Sequence, residues 1–298
     1  MLPARRVSHA PFALVALVVS LTGTLAACSA GGASPEAPKE PAPPATSAAM
    51  APSSSTAVPA APASAAPSAS ASASAPPAEE KKACPKGMAL IAGGKLTMGT
   101  PKKEVSVGAI CLDVNETTAD EYAACVKAGK CTDTQLKCAP QATYGVDGKG
   151  NHPINCVDYA QANAYCKAQD KRLPTPEEWE IAARGPEGRT YPWGNDKPSA
   201  QACWSGAELH TGTCPVGATP AGDTPEGVHD LAGNVFEWTA PKVETTTTTI
   251  RIGRGGSWKD GTPDLLRAAR QGGFETRYRC GFLGIRCVAP APGSAEAK

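Results

Sequence analysis

Three short stretches of the chain combine a polar residue that favours a helix start with apolar side chains at helical spacing. The pattern predicts helices over residues 118–127, 158–167 and 175–183. Each stretch begins with a capping box, in which the first side chain and the side chain three residues on bind each other's backbone N–H groups. The paired residues are Thr118 with Glu121, Asp158 with Gln161, and Thr175 with Glu178.

Runs of β-prone residues predict a small amount of sheet. Residues 88–91 and 95–98 lie on either side of Gly93-Gly94, and this arrangement predicts a hairpin with a tight turn at the two glycines. Residues 245–252 form another β-prone run, and residues 282–288 predict a closing strand. The remainder is rich in turn-forming residues, so we expect a loop-rich domain.

The N-terminal residues 1–28 have the pattern of a lipoprotein signal peptide. Arg5 and Arg6 precede an apolar run that is too short to span a membrane, and small residues then lead to Cys28. We expect Cys28 to be acylated, which would make this an exported, membrane-anchored lipoprotein. Ser29 in place of Asp favours the outer membrane or cell surface if the organism has two membranes. Ordinary secretion, with Cys28 removed by cleavage, is the alternative.

Composition divides the rest of the chain into three parts. Residues 29–82 are dominated by Ala, Pro and Ser, which bury too little apolar surface to fold, so a disordered linker is expected. Residues 83–290 are predicted to form one globular domain, and residues 291–298 a flexible tail. The formal net charge is +1 and there is no basic stripe, so nucleic acid is not an expected partner.

Eleven cysteines follow Cys28, and export makes disulfides the expected state for most of them. Local pairs are expected between Cys84 and Cys111 and between Cys203 and Cys214. An odd number places one cysteine outside intramolecular pairs, where it would be free, bound to another molecule or modified. The spacings contain no paired CxxC pattern, so structural zinc is not expected.

Short motifs are spread in order over residues 83–289. The clearest are Lys-Arg-Leu-Pro-Thr-Pro-Glu-Glu-Trp-Glu at 171–180, Asp-Leu-Ala-Gly-Asn-Val-Phe-Glu-Trp at 230–238 and Arg-Gly-Gly-Ser-Trp at 254–258. Others occupy residues 88–99, 113–122, 152–155, 164–166, 191–195 and 283–287. Together they resemble the formylglycine-generating (sulfatase-modifying) enzyme family. The resemblance implies a disulfide-stapled, loop-rich α+β domain with that family's variant C-type-lectin-like fold.

The resemblance also implies which residues would carry catalysis, and two of them differ. Members of this family oxidise a substrate cysteine with copper that two cysteine thiolates hold. The matching positions here are Asp260 and Leu265, while Ser257 matches the family serine beside the metal. Copper(I) prefers sulfur ligands, which a carboxylate and a leucine cannot replace. We therefore expect neither bound copper nor formylglycine production. The family disulfide is implied between Cys166 and Cys287.

The resemblance also implies a calcium site. In the family, the segment matching residues 230–237 folds around calcium. The expected oxygen ligands are the side chain of Asp230, the carbonyl groups of Gly233 and Val235, and the carboxylate of Glu237. The alternative is that Asp230 and Glu237 only accept hydrogen bonds from loop amides.

Other residues that attract attention have structural explanations. The family includes iron-dependent sulfoxide synthases, but their histidine ligands lie largely in a separate helical domain. We expect structural roles, and no iron site, for the three histidines past the signal, His152, His210 and His229. Core or groove-lining roles are expected for Trp179, Trp193, Trp238 and Trp258.

The favoured function is a non-catalytic binding or structural module of the cell envelope, held at the membrane by a lipid anchor. Its partner would be a peptide, a glycan or an envelope protein. The alternative is a metal-dependent oxidoreductase that modifies a protein or peptide through an unrecognised site, for example one that uses Asp260 or Cys280. A hydrolase ranks last, because the chain has no Gly-x-Ser-x-Gly motif or recognisable triad spacing.

Overall fold

The computed structural model describes residues 83–99, 101–241 and 249–294. The predicted signal peptide with Cys28 and the predicted linker 29–82 lie outside the described residues. Of the predicted tail, residues 291–294 form a turn with Ala291 buried. Among the helices described, none has the length and apolar character needed to cross a membrane.

The three predicted helices are confirmed. They are α1 Ala119–Lys127, α2 Tyr159–Ala168 and α3 Pro176–Arg184. Each begins directly after its predicted cap, and all three capping boxes are formed in both directions. α3 carries its proline in the first turn, where the missing N–H has no helical partner to lose.

In the part of the chain that the structure describes, nine short strands form three small sheets. In chain order they are β1 Met88–Ile91, β2 Gly94–Met98, β3 Lys103–Val107, β4 Ile110–Asp113, β5 Phe236–Trp238, β6 Ile250–Arg254, β7 Gln271–Glu275, β8 Leu283–Gly284 and β9 Val288–Pro290. The sheet orders are β1-β4-β9, β2-β3 and β7-β6-β5-β8. All neighbours are antiparallel except β5 and β8, which run parallel.

The predicted hairpin at Gly93-Gly94 is wrong, because β1 and β2 do not pair with each other. β1 pairs with β4, where Ile91 lies opposite Ile110. β2 pairs with β3, where Gly94 lies opposite Val107. The chain reverses after Gly99, whose φ is +81°. Gly93 instead permits close approach, since a β-carbon there would lie 2.3 Å from the Val107 carbonyl oxygen.

The other predicted strands have different bounds in the structure. Of the β-prone run 245–252, the part from 250 belongs to β6, and residues 242–248 lie outside the described residues. The predicted closing strand 282–288 is divided between β8 and β9. Between them, Arg286 and Cys287 are fully buried.

Of the four buried clusters in the described residues, the two largest lie around α1 and α2 and around α3 and the β1-β4-β9 sheet. Within the described residues, five disulfides cross-link the chain: Cys84–Cys111, Cys125–Cys131, Cys138–Cys156, Cys166–Cys287 and Cys203–Cys214. They include the three pairs named from the sequence. The eleventh cysteine, Cys280, is buried outside these pairs.

Candidate functional site

The segment 254–258 leaves β6 and is fixed at its start by a buried ion pair. The Arg254 guanidinium donates to Glu180 Oε2 of α3 at 2.6 Å, and both side chains are almost fully buried. Burial lowers the pKa of Arg254, and the charge of Glu180 opposes that shift. The contact joins α3 to the strand that delivers Ser257, so the position of Ser257 depends on two elements distant in sequence.

Asp260 and Leu265, the residues expected from the sequence at the family's copper-cysteine positions, lie close together after Ser257. A β-carbon built on Gly256 would lie 2.9 Å from the Leu265 carbonyl oxygen and 3.2 Å from Asp260 Oδ2. Asp260 Oδ2 accepts from the Ser257 amide at 2.8 Å and from its hydroxyl at 3.2 Å. Burial raises the pKa of Asp260, while the hydrogen bonds from Ser257 lower it. The carboxylate therefore closes a tight turn, at a position where the resemblance implies a thiolate in the family.

A second buried ion pair lies beside this segment. β5 and β8 run parallel with Glu237 opposite Gly284, which brings Glu237 next to Arg286. Arg286 donates to both Glu237 oxygens at 2.7 to 3.1 Å, and Trp179 Nε1 donates to Oε2 at 2.5 Å. Glu237 and Arg286 are both 0% exposed. Sequence reasoning missed Arg286, although an arginine inside an apolar run signals a buried partner.

Glu116 is another buried acid that the sequence analysis did not single out. Its carboxylate accepts from Asn234 Nδ2 at 2.6 Å and from the Val235 amide at 3.2 Å. Burial and the negative charges of Asp230 and Glu237 raise the pKa of Glu116 well above its ordinary value. Glu116 thereby holds the loop that precedes β5.

Asp230 completes a group of three buried acids. Its Oδ2 accepts from the Gly217 amide at 2.6 Å, and burial raises its pKa. Arg286 lowers the pKa of both Asp230 and Glu116, so a single guanidinium acts on the carboxylates of Glu116, Asp230 and Glu237. The cluster has more potential negative charge than positive charge, which favours either a proton or a bound cation.

The predicted calcium ligands fit this cluster in part. Asp230 is buried beside the loop that supplies the Gly233 and Val235 carbonyls, and hard oxygen donors suit calcium. Glu237 differs from the expectation, because both its oxygens already accept hydrogen bonds from Arg286 and Trp179. Calcium at these residues stays a prediction.

The rings of His152 and His229 each have an oxygen partner within the fold. His152 Nδ1 lies 2.9 Å from Thr213 Oγ1, and burial together with the charge of Lys149 lowers its pKa. His229 Nδ1 lies 2.7 Å from Asp223 Oδ1. These contacts are those of structural histidines.

The indole nitrogens of the four tryptophans named from the sequence all donate hydrogen bonds. Trp238 and Trp258 are buried and donate to the carbonyls of Val157 and Gly281, at 3.0 and 2.9 Å. Trp193 is half-buried, stacks on the Tyr191 ring with 5.1 Å between centroids, and donates to the Asp196 carbonyl. Together with Trp179, they join loops to the core.

Comparison with known proteins identifies relatives of this domain. The model of the sulfatase-modifying factor enzyme 1-like domain matches residues 72–291. The inactive C-alpha-formylglycine-generating enzyme 2 of Bos taurus is 40% identical over 161 residues, which cover 49% of this chain and 53% of that protein. The formylglycine-generating enzyme of Streptomyces coelicolor is 32% identical over 177 residues, with coverage of 50% and 56%. The chain thus spans 53% and 56% of the lengths of these two relatives.

Solved structures show the fold. PvdO from Pseudomonas aeruginosa superposes with a TM-score of 0.57 at 24% identity, covering 68% of this chain and 94% of that one. CarF superposes with a TM-score of 0.53 at 20% identity, covering 68% and 97%. The loop-rich, disulfide-stapled α+β domain has the C-type-lectin-like fold of the formylglycine-generating type, as expected from the sequence.

Proposed function

Because this chain belongs to the family of sulfatase-modifying factor enzyme 1-like domains, we propose that it is a non-catalytic member that serves as a binding or structural module of the cell envelope. One observation carries the proposal: the Asp260 carboxylate is bound to Ser257, at a position where the family resemblance implies a copper-binding thiolate. A relative that is 40% identical is itself described as inactive.

The rest of the framework supports a role other than catalysis. The two buried ion pairs, Arg254–Glu180 and Arg286–Glu237, hold the loops around Ser257 in place. Such a framework can display binding loops without the metal, since binding residues are often carried on loops that a rigid scaffold positions. The proposed partner is a peptide, a glycan or an envelope protein.

Two accessory features belong to the same proposal. A lipid at Cys28 would anchor the chain to a membrane. Calcium, if bound, would be held by Asp230 and the Gly233 and Val235 carbonyls, with Glu237 next to them. It would supply positive charge that offsets the buried carboxylates and pins the loop.

The proposal is tested by copper binding to the full-length chain, purified in detergent with its disulfides intact. Copper(I) is added anaerobically without a thiol reductant, and bound metal is counted after gel filtration. Wild type should retain no stoichiometric copper. The double variant Asp260→Cys/Leu265→Cys should gain about one copper ion, because two thiolates suit copper(I). Asp260→Ser/Leu265→Ser is the matched control. Stoichiometric copper on wild type would overturn the proposal.

An oxidoreductase that uses an unrecognised site is the competing function. It would need Asp260 to exchange its Ser257 contacts for a metal, or the fully buried Cys280 to become accessible. If wild type binds copper, loss of that copper in Asp260→Ala or in Cys280→Ser would identify which of the two residues is the metal ligand.

A further inference from the structure

The loop between Cys203 and Cys214 brings three metal-binding atoms together. His210 Nδ1 lies 4.0 Å from Cys203 Sγ and 3.7 Å from Cys214 Sγ. The three donor atoms all lie within 4.8 Å of one another. Cys203 is buried, and Cys214 and His210 are half-buried, so a solute can approach from one side. The two sulfurs are joined as a disulfide in the structure.

The separations of the His210 nitrogen from the two sulfurs match those of a zinc site with two sulfurs and one nitrogen. Zinc–sulfur bonds of about 2.3 Å and zinc–nitrogen bonds of about 2.0 Å in tetrahedral geometry place sulfur and nitrogen about 3.6 Å apart. His210 Nδ1 is already near that distance from both sulfurs. Only the two sulfurs would need to separate, from a covalent bond to the spacing of two ligands. Cys203 and Cys214 are 11 residues apart in sequence, so this cluster does not need a CxxC pattern.

Hydrogen bonds outside the disulfide hold both cysteines in place. The Cys203 carbonyl accepts from the Asn234 amide at 2.9 Å, and the Cys214 amide donates to Asn234 Oδ1 at 3.1 Å. Asn234 is fully buried, and its side chain also donates to Glu116. Opening the disulfide would therefore leave both cysteine backbones attached to the same residue.

The histidine backbone is anchored separately. The His210 amide donates to Ser205 Oγ at 3.2 Å, and Ser205 Oγ donates to the Trp258 carbonyl at 2.9 Å. The Ser205 amide donates to the Asp260 carbonyl at 2.9 Å. The loop is thus attached to the segment where the family has its copper cysteines, but its three donors are different residues.

From this geometry we propose that Cys203, His210 and Cys214 form a redox-gated zinc site. A dithiol reductant transfers two electrons and two protons to the disulfide, so that the sulfur–sulfur bond breaks, two thiols form and the dithiol closes to its own disulfide. Zinc(II) then displaces both thiol protons to solvent, binds the two thiolates and His210 Nδ1, and takes water as its fourth ligand. The two thiolates neutralise the ion, so the half-buried site gains no net charge.

The site is tested on the full-length chain by alkylation after partial reduction with dithiothreitol. Samples with and without zinc are treated with iodoacetamide, and modified cysteines are mapped by mass spectrometry. Zinc should protect Cys203 and Cys214 from alkylation. It should leave Cys125 and Cys131, which form another short-range disulfide, unprotected in the same sample.

The variant His210→Ala separates zinc binding from a general effect of reduction, because it keeps both cysteines. Loss of a direct ligand should weaken zinc affinity by about tenfold or more, since even outer partners of a metal are worth 10–100-fold. His229→Ala is the matched control and should retain wild-type affinity. Equal protection of all reduced cysteines, or unchanged affinity in His210→Ala, would overturn the site.

Discussion

Neutralising Glu237 should destabilise the domain more than any exposed charge substitution. In Glu237→Gln the buried Arg286 guanidinium loses the carboxylate that binds it in two places. Removing one partner of a buried ion pair costs about 3–5 kcal/mol, because the other charge remains in a medium that cannot solvate it. Glu116 lies close enough to supply some compensating charge, so we expect the lower end, about 3 kcal/mol.

Urea unfolding followed by tryptophan fluorescence measures this loss. The experiment uses oxidised full-length protein in a calcium chelator, so that neither the disulfides nor the proposed calcium changes between samples. With a slope of about 2–3 kcal/mol per molar urea, the midpoint should fall by about 1 M or more. The glutamine keeps one oxygen for Trp179, so the difference reports mainly the charge.

The control is Glu104→Gln, which removes a surface pair. Lys95 and Glu104 are 2.8 Å apart, with side chains 70% and 60% exposed. Such pairs contribute about 0–1 kcal/mol, and the midpoint should barely move. A loss in Glu237→Gln no larger than in Glu104→Gln would refute the view that the Arg286–Glu237 pair holds the loops around Ser257.

Three further outcomes are expected from oxidised protein or whole cells. Removing the disulfide Cys166–Cys287, which spans 121 residues, should lower the free energy of unfolding by about 5 kcal/mol in the chain-entropy model. Removing Cys125–Cys131, which spans 6 residues, should lower it by about 2 kcal/mol. Equal losses in urea unfolding would contradict that model here. In chelator, the free energy of unfolding should decrease as pH rises from about 4.5 through the raised pKa of Glu116, because the folded state holds that proton more tightly than the unfolded state. Millimolar calcium should reduce this decrease, and identical urea midpoints with and without calcium at every pH would exclude the calcium proposal. In cells producing the full-length chain, Cys28→Ala should move the protein from the membrane fraction to the soluble fraction, and unchanged fractionation would count against the lipid anchor.

The sequence predicts well those parts of the fold that are decided by interactions between residues close together in the sequence. All three helices were found because a capping box needs only a side chain and a residue three positions on. The prediction of a hairpin at Gly93-Gly94 is wrong because paired glycines can indicate either a reversal of the chain or a close approach of two backbones. Only the position of the partner strand β3, set by tertiary structure, distinguishes them.

The candidate site was predictable where the family motif supplied it and not beyond. Asp260, Leu265 and Ser257 follow from the motif, and the structure places them close together. The partnership of Glu237 with Arg286 depends on the parallel pairing of β5 and β8, which no local pattern encodes. The same holds for the sulfurs and imidazole of the 203–214 loop, since the structure alone places His210 beside both cysteines.

The central claim is that this domain keeps the family framework without the family's oxidation of cysteine. The most direct measurement is mass spectrometry of a cysteine-containing peptide of the kind that formylglycine-generating enzymes accept, incubated with the full-length chain, copper and oxygen. A formylglycine-generating enzyme with its cysteine pair serves as the positive control. The account predicts that the peptide's cysteine stays unconverted. Copper- and oxygen-dependent conversion to formylglycine by this chain would contradict it.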